Sequence, residues 1–131
     1  MLRYHKKIYF PKDYIPKLRN MTEILNYSQW QYTAHCIDRI KNKAYNLQEV
    51  LRFIKNMILQ VENIFEFYTN SFNFITRICY RIPYNKDIDL ILIVGEGKKL
   101  ITIYYNARSD KHFTLDKALY EKKINKTKDR F

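Results

Sequence analysis

The 131-residue chain has little of several things that would tie it to familiar chemistry. Its only glycines, Gly95 and Gly97, stand together in Gly95-Glu-Gly-Lys-Lys99. No Ser or Thr follows those lysines, so the segment lacks what a phosphate-cradling P-loop requires and suits a hairpin turn instead. The only cysteines, Cys36 and Cys79, each lie within an apolar periodic segment, and neither has CxxC or Cys/His ligand spacing. A disulfide scaffold and a structural zinc site are therefore disfavoured, and the expectation is two buried thiols in a reducing compartment. No apolar run is long enough for a membrane helix, and MLRYHKKIYFPKDY lacks the apolar core of a signal peptide. A soluble, cytoplasmic protein with no membrane partner is expected. Acidic residues are scarce and scattered, with no HExxH or DxD pattern, so neither a metal nor a cofactor is expected.

Positive charge and aromatic rings are abundant. Twenty-four Lys and Arg against 13 Asp and Glu give a net charge of +11 and an isoelectric point near 9.6. Cations crowd the start (Arg3, Lys6, Lys7, Lys12, Lys17, Arg19) and the end (Lys117, Lys122, Lys123, Lys126, Lys128, Arg130). A polyanion is the natural partner, RNA before others. Richness in Lys, Asn, Ile and Tyr is also what AT-rich coding yields, so charge alone points to nothing narrower than an acidic partner.

Length and 47% hydrophobic content fit one domain with a real core. Residues 1–20, with Pro11 and Pro16, read as a basic arm holding one short strand at Lys7 to Phe10. From Ser28, a candidate N-cap, Trp30, Ala34, Ile37, Ile40 and Ala44 recur at helical spacing. Asn46 caps a second helix, with Glu49 at the capping-box position and a stripe of Leu47, Val50, Leu51, Ile54, Ile58 and Val61. Asn63 to Tyr68 either extends the second helix or forms an edge strand ahead of the meander, the strand being preferred. Alternation over Phe72 to Ile82, an unbroken run over Asp89 to Val94, and Leu100 to Asn106 predict an antiparallel meander. A short helix over Thr114 to Glu121 precedes a Lys-rich tail at 121–131. The fold class expected is α+β: two N-terminal helices packed on a curved antiparallel sheet of three to four strands, with a short C-terminal helix, the core running over 28–120.

Several polar residues depart from what a core needs. His35 and Arg39, four apart, share a flank of the first helix, where the imidazole could accept a proton and the guanidinium could grip a phosphate. Arg77 and Arg81 share a strand face about 13 Å apart at the usual rise. Thr102, Tyr104 and Asn106 share a face of the last strand. Arg108 to Thr114 follows as a loop carrying His112, a second histidine able to work as acid or base with His35. RNA supplies its own nucleophile, the 2′-hydroxyl, so such metal-free groups have a natural task there.

Two helices followed by a sheet, with HCIDR at 35–39, LITIYYN at 100–106 and DKHFTLDKALY at 110–120, resemble the compact bacterial ribonuclease-toxin superfamily that includes RelE-like, barnase-like, EndoU-like and colicin-type nucleases. The likeness covers about residues 28–120. It implies a small endoribonuclease of toxin type that needs no metal, acts on an RNA substrate at a concave sheet face, and is restrained by an acidic antitoxin or immunity protein. By position, His35 or His112 would be the base or acid, Arg39 and Arg81 the phosphate clamps, and Thr102 and Tyr104 the lining of the scissile phosphate. The alternative reading is a non-catalytic, phage-encoded type of nucleic-acid-binding or inhibitor protein, whose tyrosines and lysines would serve base stacking.

Overall fold

A computed structural model describes residues 2–5, 10–27, 29–41 and 46–109. It is an α+β fold. The strands are β1 (Leu2–His5), β2 (Gln31–Tyr32), β3 (Ile64–Thr69), β4 (Ile75–Pro83), β5 (Ile88–Gly95) and β6 (Lys99–Ala107), and the helices are α1 (Ile15–Asn26), α2 (Ala34–Lys41) and α3 (Leu47–Asn56). The strands form one sheet in the order β1-β3-β4-β5-β6-β2, antiparallel throughout except where β2 runs parallel to β6.

The sheet has two distinct faces because successive side chains alternate. On one face Ile78, Tyr80 and Ile82 of β4 pair across to Val94, Leu92 and Leu90 of β5, which in turn meet Leu100, Ile103 and Tyr105 of β6. Leu18 and Leu25 of α1, Cys36 and Ile40 of α2, and Val50 and Ile54 of α3 pack on these residues in one core. On the other face Phe65, Cys79, Ile91 and Ile93 form a smaller cluster, joined by Tyr68, Ile101 and Tyr104. Both sides of β5 are thus buried, as the unbroken run over Asp89 to Val94 predicts.

The meander agrees with the sequence reading; a strand also forms over 64–69, but it is an inner strand and not an edge, because β1 pairs with its other side. Asn46 caps α3 by accepting from Glu49 N at 3.1 Å, but the helix stops at Asn56, before Ile58 and Val61. Other expectations need correction. Among the described residues the sheet has six strands in place of three to four and is mixed, since β2 is parallel, and three helices stand in place of two, because the N-terminal segment adds β1 and α1. The helix expected from Ser28 begins at Ala34: residues 31–32 pair with β6 first, and Thr33 is the cap. Residues 1–20 are not simply an arm, because they hold β1 and the first half of α1. Pro16 stands in the first helical turn, where its missing N–H costs nothing. Leu18, Thr22 and Leu25 then turn inward, and Thr22 Oγ1 hydrogen-bonds Tyr80 OH at 2.8 Å. Tyr4, Phe10 and Tyr14 surround the buried Phe67 ring at centroid distances of 4.8, 5.1 and 5.2 Å, an aromatic cluster that ties the N-terminal segment to the sheet. Of the strand expected at Lys7 to Phe10, only Phe10 is among the described residues, and it is not in a strand. The helix expected over 114–121 and the tail beyond it lie outside the described residues.

Gly95 lies close to Ile101: a Cβ there would sit 2.6 Å from Ile101 Cδ1, so a side chain at this position would need that terminal methyl to shift. Gly97 supplies the positive φ of 69° that turns β5 into β6. Register shifts place an extra residue in β3 at Phe65, in β4 at Thr76 and in β6 at Ile101.

Candidate functional site

β6 is short of a full neighbour on its outer side, because β2 pairs only with Lys99 and Leu100. Its next carbonyls are met by α2 and the residue before it. Thr33 N donates to Leu100 O at 3.2 Å and Thr33 Oγ1 to Ile101 O at 2.6 Å. The same hydroxyl accepts from Cys36 N at 3.1 Å, so one threonine both caps α2 and fixes it to the strand. One carbonyl further on, Arg39 Nε donates to Ile103 O at 3.2 Å. Edge carbonyls that would otherwise face water or another chain are used to dock the helix.

That docking lays the Arg39 guanidinium over the Tyr104 ring, 4.3 Å from its centroid. Stacking of this kind favours the planar, delocalised cation and holds it flat. Both side chains are half-buried. With Nε committed to the strand, the two terminal nitrogens of Arg39 make no hydrogen bond to any of the described residues. His35 lies one turn earlier on α2 and is exposed.

Thr102 shares the Tyr104 face, opposite Ile93. It is 4% exposed, and its hydroxyl has no hydrogen-bond partner among the described residues. Arg81 stands in one cross-strand row with Ile91 and Tyr104, which places its Cα about 10 Å from that of Tyr104 at the usual strand spacing.

The Arg81 side chain has structural engagements. Its Nε meets Asp89 Oδ2 at 2.8 Å and its Nη2 donates to Ala107 O at 3.2 Å. Arg108 Nε meets the other oxygen, Asp89 Oδ1, at 3.0 Å, and its Nη2 bonds to Asn85 O and, at 3.5 Å, to Ile88 O. One buried carboxylate therefore holds two guanidiniums and closes the end of β4, β5 and β6. His112 lies outside the described residues.

The residues expected to form a site are thus brought together in part. Arg39 and Tyr104 meet where α2 crosses β6, Thr102 lies two residues before Tyr104 on the same strand face, His35 is on the flank of the same helix, and Arg81 is two strands away in a salt-bridged corner. Sequence reasoning missed Thr33 and Asp89. Thr33 could have been found as a capping residue three positions before Cys36. Asp89 could have been found as the sole acid in an apolar strand, since such an acid needs a cationic partner.

The two thiols are not reactive groups. Burial pushes Cys36 up to about 11. Cys79 is raised well above its usual value by burial first and by the neighbouring Glu66 carboxylate second. Among the described residues, no group of three or more His, Cys, Asp or Glu is placed to hold a metal ion, and no helix is long and apolar enough to cross a membrane.

The chain matches no protein-family model, no curated protein and no solved structure.

Proposed function

We propose that the protein is a small endoribonuclease of toxin type that activates the 2′-hydroxyl of its RNA substrate, with the reacting phosphate bound where α2 crosses β6. The observation that carries this reading is the Arg39–Tyr104 stack. Two motifs more than sixty residues apart in sequence, HxxxR and TxY, lie against each other there, with a guanidinium whose terminal nitrogens point to no protein acceptor among the described residues. A planar cation with paired donors beside a phenol suits a crowded phosphate. The irregularities at Phe65 of β3, Thr76 of β4 and Ile101 of β6 bend their strands, which fits a curved sheet with this phosphate on its concave side.

In the reaction, a base takes the 2′-hydroxyl proton, O2′ bonds to phosphorus, the bond from phosphorus to O5′ breaks, and an acid returns a proton to O5′. The products are a 2′,3′-cyclic phosphate and a free 5′-hydroxyl. Arg39 neutralises the phosphate and Tyr104 donates to it. His35, exposed one turn before Arg39, and His112 are the acid and base candidates. Arg81, bound to Asp89, acts by holding the sheet corner and adding positive potential. Thr102 supports Tyr104 from the same face. RNA is the substrate, and an acidic antitoxin or immunity protein is the partner that would cover the basic surface.

Arg39→Ala and Tyr104→Phe should each cut the rate of RNA cleavage, the first by about a hundredfold, as loss of one transition-state donor typically does. Arg39→Lys, which keeps the charge and loses the planar fork, should fall with Arg39→Ala. Rates within about twofold of the parent for all three variants, in proteins that melt normally, would remove the site. Salt-sensitive RNA binding without any turnover would instead support the non-catalytic binding protein.

A further inference from the structure

Apolar side chains at a hairpin tip are normally turned inward, yet the turn between β3 and β4 holds two phenylalanines in water. Phe72 is 76% exposed and Phe74 66% exposed. The turn that presents them is well braced. Asn70 Oδ1 accepts from Phe72 N at 2.9 Å and from Phe74 N at 3.0 Å. Asn70 N donates to Phe74 O at 2.9 Å, and Asn73 N donates to Asn70 O at 3.0 Å. Asn73 takes the left-handed conformation, φ 65°, that the tight return needs. One asparagine side chain and one left-handed asparagine thus fix a loop whose outcome is two outward rings.

The surroundings are cationic and apolar together. Arg77, three residues on, is exposed and makes no ion pair with any described residue, and Lys99, at the same end of the sheet, is also exposed. Arg77 lines a cavity of about 200 Å³ whose other walls include Met21, Ile24, Ile75 and Val94. A chain of net charge +11 that displays rings beside a guanidinium without an ion pair among the described residues complements a strand with flat bases and charged phosphates.

We infer that the Asn70–Phe74 turn is a stacking platform for unpaired bases of single-stranded nucleic acid, with Arg77 taking a phosphate. The inference rests on the nucleic-acid part of the proposed function and adds a second contact to it. From Phe74 to Arg81, which shares a row with Tyr104, β4 runs about 23 Å, so only a strand of several nucleotides reaches both places.

The test is binding of fluorescein-labelled 2′-O-methyl oligouridylates, which cannot be cleaved, so a failure of the ribonuclease reading leaves the result readable. Phe72→Ala/Phe74→Ala should weaken binding of a strand of about 12 nucleotides roughly tenfold. It should leave a strand of about four nucleotides and the salt slope unchanged. Both side chains are exposed, so the melting temperature should hold. In Phe74→Trp, affinity for the long strand should be retained and the new indole quenched when it binds. Unchanged affinity in the double alanine variant, an equal loss of affinity for heparin, which has no bases, or an indole blind to saturating oligonucleotide would each overturn the platform.

Discussion

At the scale of single residues, burial rather than sequence neighbourhood sets the chemistry. Cys36 is a neutral thiol because the core between α2 and the sheet excludes the charged form, pushing it to about 11. Tyr80 goes to about 12 for the same reason, only partly opposed by the hydrogen bond with Thr22. Both groups ionise sooner in the unfolded chain, from near 9 for the thiol and near 10 for the phenol, than in the fold. Their contribution to stability is therefore intact at neutral pH and drains away as pH rises from about 9 towards 12. Urea midpoints measured from pH 8 to 11 should fall. Tyr80→Phe should lower stability at pH 8 by about 1 kcal/mol through the lost hydrogen bond while flattening the alkaline decline. An unchanged slope in Tyr80→Phe and Cys36→Ala would show that neither group titrates as its burial demands.

At the scale of elements, what was legible in the sequence is what period and capping encode. The alternation of β4 and the unbroken run of β5 follow from which faces are covered. Asn46 and Glu49 mark the start of α3 because a cap is a local hydrogen bond. α1 was hidden because Pro11 and Pro16 suggest an interrupted segment, and only the structure reveals that Pro16 falls in the one helical turn that tolerates it. The two-residue β2 has no period to read; it exists because β6 offers it Lys99 and Leu100. Of the site, the residue types and their shared faces could be read. Nothing in the sequence records that Arg81 would be drawn to Asp89, since ion pairing between β4 and β5 depends on register. The docking of α2 gives a testable consequence. Thr33→Val removes both the cap of α2 and the bond to Ile101 O, and should cost about 2 kcal/mol of stability. If Arg39 is positioned through this anchor, cleavage should fall in the rate constant more than in KM. A stability loss with unchanged turnover would mean Arg39 holds its place unaided.

At the scale of the whole molecule, net charge and architecture answer different questions. A net charge of +11 favours polyanionic partners and would make affinity for one salt-dependent, without choosing between cleavage and binding. The architecture proposes the choice: helices occupy one sheet face, a smaller apolar cluster occupies the other, and the Arg39–Tyr104 stack forms where α2 crosses the β6 edge between them. Asp89 with its two arginines closes one end of the sheet, and the phenylalanine turn projects from the opposite end. The most direct measurement is incubation of the purified full chain with single-stranded RNA in excess EDTA, followed by analysis of the new ends. Fragments carrying 2′,3′-cyclic phosphate and 5′-hydroxyl termini, lost in Arg39→Ala, are the predicted result. RNA left intact, or cut only when a divalent cation is restored, would contradict the account.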